Sequence, residues 1–246
     1  MRLSRRLYQD WIVSLSDLDG FLLVNKPVGC SSFYIIRQLR GITKVKRIGH
    51  AGTLDPFASG LLLVAIGRSY TRQLDQFLGS EKQYRVTLTF GKTTNTYDSE
   101  GEVTSEADQP IVIDRDDLMA TLMTFRGDQL QMPPQFSAKK KQGVRAYQLA
   151  RKGEVVALDP VPITIQSLDV VSLDLQVAYP TVTVDVRCSK GTYIRSLVHD
   201  IGQAMGVGAV ATALVRTHIG HLDVHDAISL QDATKESVQM ALKQAL

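Results

Sequence analysis

A single carboxylate, Asp55, stands between Tyr34 and Arg72 among seven basic residues: Arg37, Arg40, Lys44, Lys46, Arg47, Arg68 and Arg72. Its setting is Lys46–Leu63 (KRIGHAGTLDPFASGLLL), where three glycines and one proline fall within twelve residues. That composition predicts a loop. Asp before Pro commonly starts a turn, so a surface ion pair is one reading. The other is a reactive carboxylate placed where an anionic substrate docks. To react, such a group must be dehydrated yet ionised; burial raises its pKa and a nearby guanidinium lowers it. One source of a guanidinium outside the loop is Arg187–Arg195 (RCSKGTYIR), which reads as a strand end, a glycine turn and a helix with Arg195 in its second turn. A cation near a helix start opposes the helix dipole, so Arg195 needs a carboxylate or phosphate partner.

Other chemistries are less well served. Gly91-Lys92-Thr93 resembles the tail of a phosphate-binding loop, but Val86 stands where that motif needs glycine. Ser59, His50 and Asp55 lack the strand–elbow–helix context of a hydrolase. His218, His221 and His225 fall in a strand-like stretch where two share a face and the third points away; no thiol or carboxylate set completes a metal site. A retaining glycosidase needs two carboxylates about 5 Å apart. The basic segment offers one, and a lone carboxylate can still act as nucleophile or electrostatic stabiliser.

The chain has 246 residues, 44% hydrophobic and 22% charged, with net charge +3. This is globular composition with chain enough for a sizeable core. Charge is unevenly spread: Asp98 to Leu118 carries eight acids against one base, between the basic segment above and Lys139-Lys140-Lys141. A basic face beside an acidic one suggests a polyanion partner. Cys30 and Cys188 are too isolated for a disulfide framework or a metal pair. No apolar region follows the basic start and no run is long enough to span a membrane, so a cytoplasmic location is expected.

Residues 1–18 carry no strong pattern. Gly20–Asn25 and Gly60–Gly67 read as buried strands, and Ser31-Ser32 as the cap of a helix burying Ile35, Ile36 and Leu39. Tyr70–Leu78 reads as a short helix and Lys82–Phe90 as an alternating strand with Tyr84, Val86, Leu88 and Phe90 on one face. Gly91–Gly101 is turn-rich; a helix follows Asp114. Met132 to about Arg145 reads as a long basic loop and Ala146–Lys152 as a short helix. Val161–Leu175, Tyr179–Val186 and Ala211–His225 are strand-like, with helices over Gly191–Met205 and Lys235–Leu246. The expected class is α+β with a mixed, largely antiparallel central sheet flanked by helices and loops.

Gly49–Leu62 (GHAGTLDPFASGLL) resembles the catalytic motif of the TruB family, the tRNA pseudouridine-55 synthases. Further resemblances follow in family order. They are Leu22–Gly29 with its Lys-Pro pair, Lys82-x-Tyr84 with Phe90-Gly91, and Thr94-x-Thr96-x-Asp98-x-x-Gly101. Pro133-Pro134-x-x-Ser137-Ala138-x-Lys140 to Tyr147-x-x-Ala150-Arg151, Cys188–Arg195, and Leu214-x-Arg216 to Gly220 complete the set. Together they span roughly residues 18 to 235.

The resemblance implies a pseudouridine synthase fold over residues 1–246, with a thumb-like insertion at about 130–157 and no full C-terminal RNA-binding domain. It implies catalytic roles for Asp55, for Arg195 as its partner and for Tyr84, which would stack on the flipped base. Substrate-binding roles fall on His50, Lys26, Leu214, Tyr193, Asp98, Lys140 and Arg151; Asp98 would brace Arg195, and Lys26 the loop carrying Asp55. No cofactor and no metal are implied. The implied partner is the T-loop and T-stem of tRNA, bound by a monomer without an obligate protein partner. Two competing readings are a guide-RNA-dependent, dyskerin-like synthase and a non-catalytic tRNA-folding module.

Overall fold

The computed structural model describes residues 18–137, 139–141, 144–145, 149–150 and 157–246. Residues 1–17, and with them the patternless lead-in, lie outside that set, as do Arg151 and the side chain of Lys140.

The centre is a nine-stranded sheet. Its main path runs β1 (Gly20–Lys26), β3 (Ser59–Ile66), β12 (Ala209–Ile219), β4 (Lys82–Phe90), β11 (Thr181–Cys188), β10 (Val161–Asp174) and β7 (Gly127–Gln131). β2 (Ile48–Ala51) pairs with β3, and β13 (Leu222–Asp223) with β12. β12 runs parallel to β3; the other strand pairs among the described residues are antiparallel.

β1 and β3 are apolar on both faces because both faces are covered. Leu22, Val24, Leu62, Val64 and Ile66 pack with Ile35, Ile36 and Leu39 of helix α1 (Ser32–Thr43) and with Val238 of the C-terminal helix. The alternate residues Phe21, Leu23, Leu61 and Leu63 pack with Leu74, Phe77 and Leu222. β4 alternates because only one face is covered. Val86, Leu88 and Phe90 meet Leu197, Val198 and Ile201, while Arg85 pairs with Asp185 and Thr87 with Thr183 on the open face.

Ser31 caps α1, its hydroxyl accepting from Tyr34 N at 3.1 Å. The next residue ties the helix to the loop of interest: Leu54 N donates to Ser32 Oγ at 2.9 Å, and Ser32 Oγ donates to Leu54 O at 3.1 Å. Helices α2 (Arg68–Thr71) and α3 (Asp75–Leu78) follow β3, α4 (Arg115–Thr124) starts at the Asp114 cap, α5 spans Ile194–Ala204 and α6 spans Lys235–Ala241.

Several expected boundaries move. The stretch 46–63 is two strands enclosing a shorter loop, since β2 pairs back on β3, and β3 is recruited between β1 and β12. Tyr70–Leu78 breaks into α2 and α3. The polar segment after Gly91 forms a hairpin of β5 (Lys92–Thr94) and β6 (Val103–Glu106). The long basic loop contains a second hairpin, β8 (Lys140–Lys141) with β9 (Val144–Arg145). β7, unforeseen, pairs with β10. α5 begins at Ile194, so Arg195 lies in its first turn rather than its second.

Candidate active site

The loop 52–58 is held from three sides. Gly29 N donates to Pro56 O at 2.8 Å, and Ala58 N to Asp55 O at 3.2 Å. The Ser32–Leu54 pair fixes the residue before Asp55. Lys26 Nζ, fully buried, donates to Cys30 O at 2.7 Å, to Pro27 O at 2.8 Å and to Pro56 O at 3.4 Å. Gly60, at φ +101°, lies against the β12 backbone; a Cβ there would sit 2.8 Å from Arg216 N and closer still to Arg216 O. Only glycine permits this approach at that φ.

Arg195 reaches the loop from α5. Its Nε lies 2.9 Å from Asp55 Oδ2 and its Nη1 3.4 Å from Asp98 Oδ2. Nη1 also donates to Thr96 O at 2.7 Å, and Nη2 to Phe136 O at 2.9 Å. Placing a cation in a first helical turn is unfavourable; two carboxylates offset it. The two acids differ in access. Side-chain exposure is 6% for Asp98 and 40% for Asp55. Asp98 is therefore a buried brace, further tied by Thr96 Oγ1 at 2.7 Å and Glu100 N at 3.0 Å, whereas Asp55 keeps an oxygen toward open space.

Burial pushes the Asp55 carboxyl above the ordinary 3.8, Arg195 pulls it down, and the Asp98 charge pushes it up again; the net direction is up. The carboxylate is crowded by protein while open through a pocket mouth. That pocket has a volume of about 140 Å³ and is lined by Asp55, Tyr84, Ser137, Tyr193, Arg195 and Leu214. Cavities of roughly 150 Å³ accept a benzene-sized ring, so this one admits one planar six-membered ring. Tyr84 lies on β4 and Leu214 on the adjacent β12, where Leu214 pairs with Val86. Burial raises the Tyr84 phenol pKa, opposed first by Arg216.

The remaining residues singled out above divide. Tyr193 lines the pocket. Lys26 and Asp98, grouped above with the substrate contacts, are 0% and 4% exposed and stand behind Asp55 instead. His50, on β2, lies outside the pocket lining; its Nδ1 is buried without a hydrogen-bond partner among the described residues, and burial lowers its pKa. His218 pairs with Asp223 at 3.1 Å.

Three contributors were given no role from sequence, although Arg216 and Lys82 fall within the motifs quoted above. Arg216, 1% exposed, donates through Nε to Leu61 O at 2.8 Å and through Nη2 to Gly52 O at 3.0 Å, tying β12 to both ends of the Asp55 loop. Its signal is a cation two residues from Leu214 on the covered face of a strand. Gln131 of β7 holds the start of α5: Tyr193 N donates to its Oε1 at 2.8 Å, and its Nε2 donates to Tyr193 O at 3.0 Å. Lys82, also buried, donates to three carbonyls, and burial lowers its pKa to about 8.

Residues 40–194 match the family model described as TruB family pseudouridylate synthase (N terminal domain). The chain belongs to the TruB family. Residues 195–245 match the model of the tRNA pseudouridylate synthase B C-terminal domain; here they supply α5 and β12, which lie within the central fold. The tRNA pseudouridine synthase B of Protochlamydia amoebophila is 45% identical over 83% of this chain and 76% of its own length. That of Clostridium tetani is 39% identical over 90% of this chain and 75% of its own. Among solved structures, a Cbf5-Nop10-Gar1 complex contains a chain matching 92% of this one at TM-score 0.66 and 24% identity. The match spans 60% of that chain and supports the fold alone. This TruB-family member thus carries the Asp55 carboxylate at a ring-sized pocket with a buried guanidinium against it.

Proposed function

We propose that this enzyme isomerises the uridine at position 55 in the T-loop of tRNA to pseudouridine, acting without a protein partner. The observation that carries this reading is the Asp55–Arg195 pair at the wall of a pocket sized for one pyrimidine ring. A stacked uridine must first be extruded, at a cost of a few kcal/mol. The Tyr84 ring then stacks on the base, Leu214 packs against it, and Asp55 acts on the nucleotide as the N1–C1′ bond breaks. The base turns, C5 bonds to C1′, the C5 proton leaves to water, and N1 takes up a proton from water. Uracil is both leaving group and nucleophile, so the atoms balance without a co-reactant. The seven exposed basic residues between Tyr34 and Arg72 contact phosphates, which position RNA without reading its sequence. In this reading Lys140 and Arg151 also contact the tRNA backbone.

The test is tritium release from tRNA labelled at uridine C5. Purified wild type should release tritium in proportion to product. Asp55→Asn should bind tRNA and release none. Full activity in Asp55→Asn would overturn the mechanism; tRNA binding by wild type without release would make the protein a folding module.

A further inference from the structure

Helix α5 presents Arg195 and His199 four residues apart, on one face. Both reach the turn of residues 94–101. Arg195 holds the Thr96 carbonyl at 2.7 Å and Asp98 Oδ2 at 3.4 Å. His199 stacks on the residue between them, Tyr97, with ring centroids 3.9 Å apart and planes 13° from parallel. Three consecutive residues of the turn are gripped by two side chains one helical turn apart.

Tyr97 has φ +64°. A bulky residue in that left-handed region is a genuine outlier. Such strain persists only where the surroundings hold it, and it collects at functional sites. Glycine would adopt the same backbone freely, so the turn alone gives no reason for a tyrosine. The ring does, through its stack. The backbone around it is pinned to β12, with Ala211 N donating to Tyr97 O at 3.1 Å and Ser99 N to Ala211 O at 3.0 Å. His199 Nδ1 is buried with no hydrogen-bond partner among the described residues. Burial lowers the imidazole pKa, which favours a neutral ring that does not compete with Arg195 for Asp98.

We propose that Tyr97 and His199 are positioning residues: their stack holds the Thr96–Asp98 turn in its strained form and thereby keeps Arg195 against Asp55. The proposal rests on the reading of Asp55 as the reacting carboxylate.

The test compares Tyr97→Gly, which accepts the backbone but loses the ring, with Tyr97→Phe, which keeps the stack. Four quantities are measured: thermal stability, tRNA affinity, the single-turnover rate at saturating tRNA, and the pH titration of the Asp55 carboxyl by carbon-13 NMR in the free protein. The charged groups acting on Asp55 are Arg195, Asp98 and Lys26, and Glu100, Tyr84 and Tyr193 also feel its charge. In Tyr97→Gly the rate should fall about ten-fold or more, as expected for a misplaced reacting group. Affinity should stay within about two-fold, and Asp55 should titrate at higher pH as Arg195 loosens. Tyr97→Phe should match wild type in all four. A wild-type rate with an unmoved titration in Tyr97→Gly would overturn the proposal. So would a rate loss matching a lost folded fraction with the titration unmoved, or a loss confined to affinity. The NMR titration uses no RNA, so it decides the clamp even if activity in Asp55→Asn shows the catalytic reading to be wrong.

Discussion

Replacing Arg195 by methionine removes the guanidinium from between two carboxylates while keeping most of the side chain's volume. Asp98, 6% exposed at its side chain, is then a buried charge without its cation. Breaking a buried pair from one side typically costs 3–5 kcal/mol. The variant also loses donors to Thr96 O and Phe136 O. A loss of about 4 kcal/mol corresponds to a fall in Tm of roughly 10 °C for a chain of this size. At Asp55, an ion pair at 2.9 Å is worth about 6 kcal/mol at an effective dielectric near 20, before desolvation. The carboxyl, already raised, should therefore titrate still higher, by about 1–3 pH units after relaxation. Single-turnover tritium release against pH should show the acid limb displaced upward by that amount. Adding Asp98→Asn removes the stranded charge, so the double variant should recover roughly half the lost stability without recovering the rate. The reasoning fails if Asp98→Asn and Arg195→Met are simply additive in a denaturation cycle, or if the acid limb does not move.

Three further outcomes are expected. Asp55 has a folded pKa above its unfolded 3.8, so its ionisation opposes folding above the folded pKa, and that penalty vanishes below the unfolded value. Asp55→Asn should accordingly be more stable than wild type at neutral pH, by a margin that closes in acid; urea denaturation at several pH values measures it. Lys82 falls from 10.5 to about 8, so its burial penalty is full below pH 8 and gone above 10.5. Relative to Lys82→Met, wild type should gain about 3 kcal/mol across that window, read by the same titration of stability. Gly60→Ala should cost roughly 3 kcal/mol or more, because positive φ and a clash with the β12 backbone act together; thermal denaturation checks it.

Lys82–Phe90 was legible to the residue because one face is covered and the other is wet, which imposes period two. β1 and β3 were legible as unbroken apolar runs because both faces are covered. β6 (VTSE) and β7 (GDQLQ) have no such periodicity; partners distant in sequence make them strands. The same limit applies to the site. Asp55 was conspicuous for its charge, and Arg195 for opposing a helix dipole. Their roles came from a family resemblance rather than from spacing. Arg216 and Gln131 act through main-chain groups on other elements; the strand pattern marks Arg216 as a cation on a covered face but does not say which carbonyls it meets, and no local pattern marks Gln131. The stack of Tyr97 on His199 joins residues about a hundred positions apart and leaves no mark in either segment.

The position of β12 has a consequence for synthesis on the ribosome. Residues 20–78 build one half of the sheet and residues 82–188 most of the other, but the strand joining them is residues 209–219. The free edge of β1 is closed later still, by Ile228 and by Lys243, which exchanges two hydrogen bonds with Phe21. β1 therefore waits for residues more than two hundred positions further on. Until they emerge, β1 and β3 expose an apolar, unpaired edge of the kind that recruits other chains. Slow translation between Leu78 and Ala209 should thus raise the demand for chaperones.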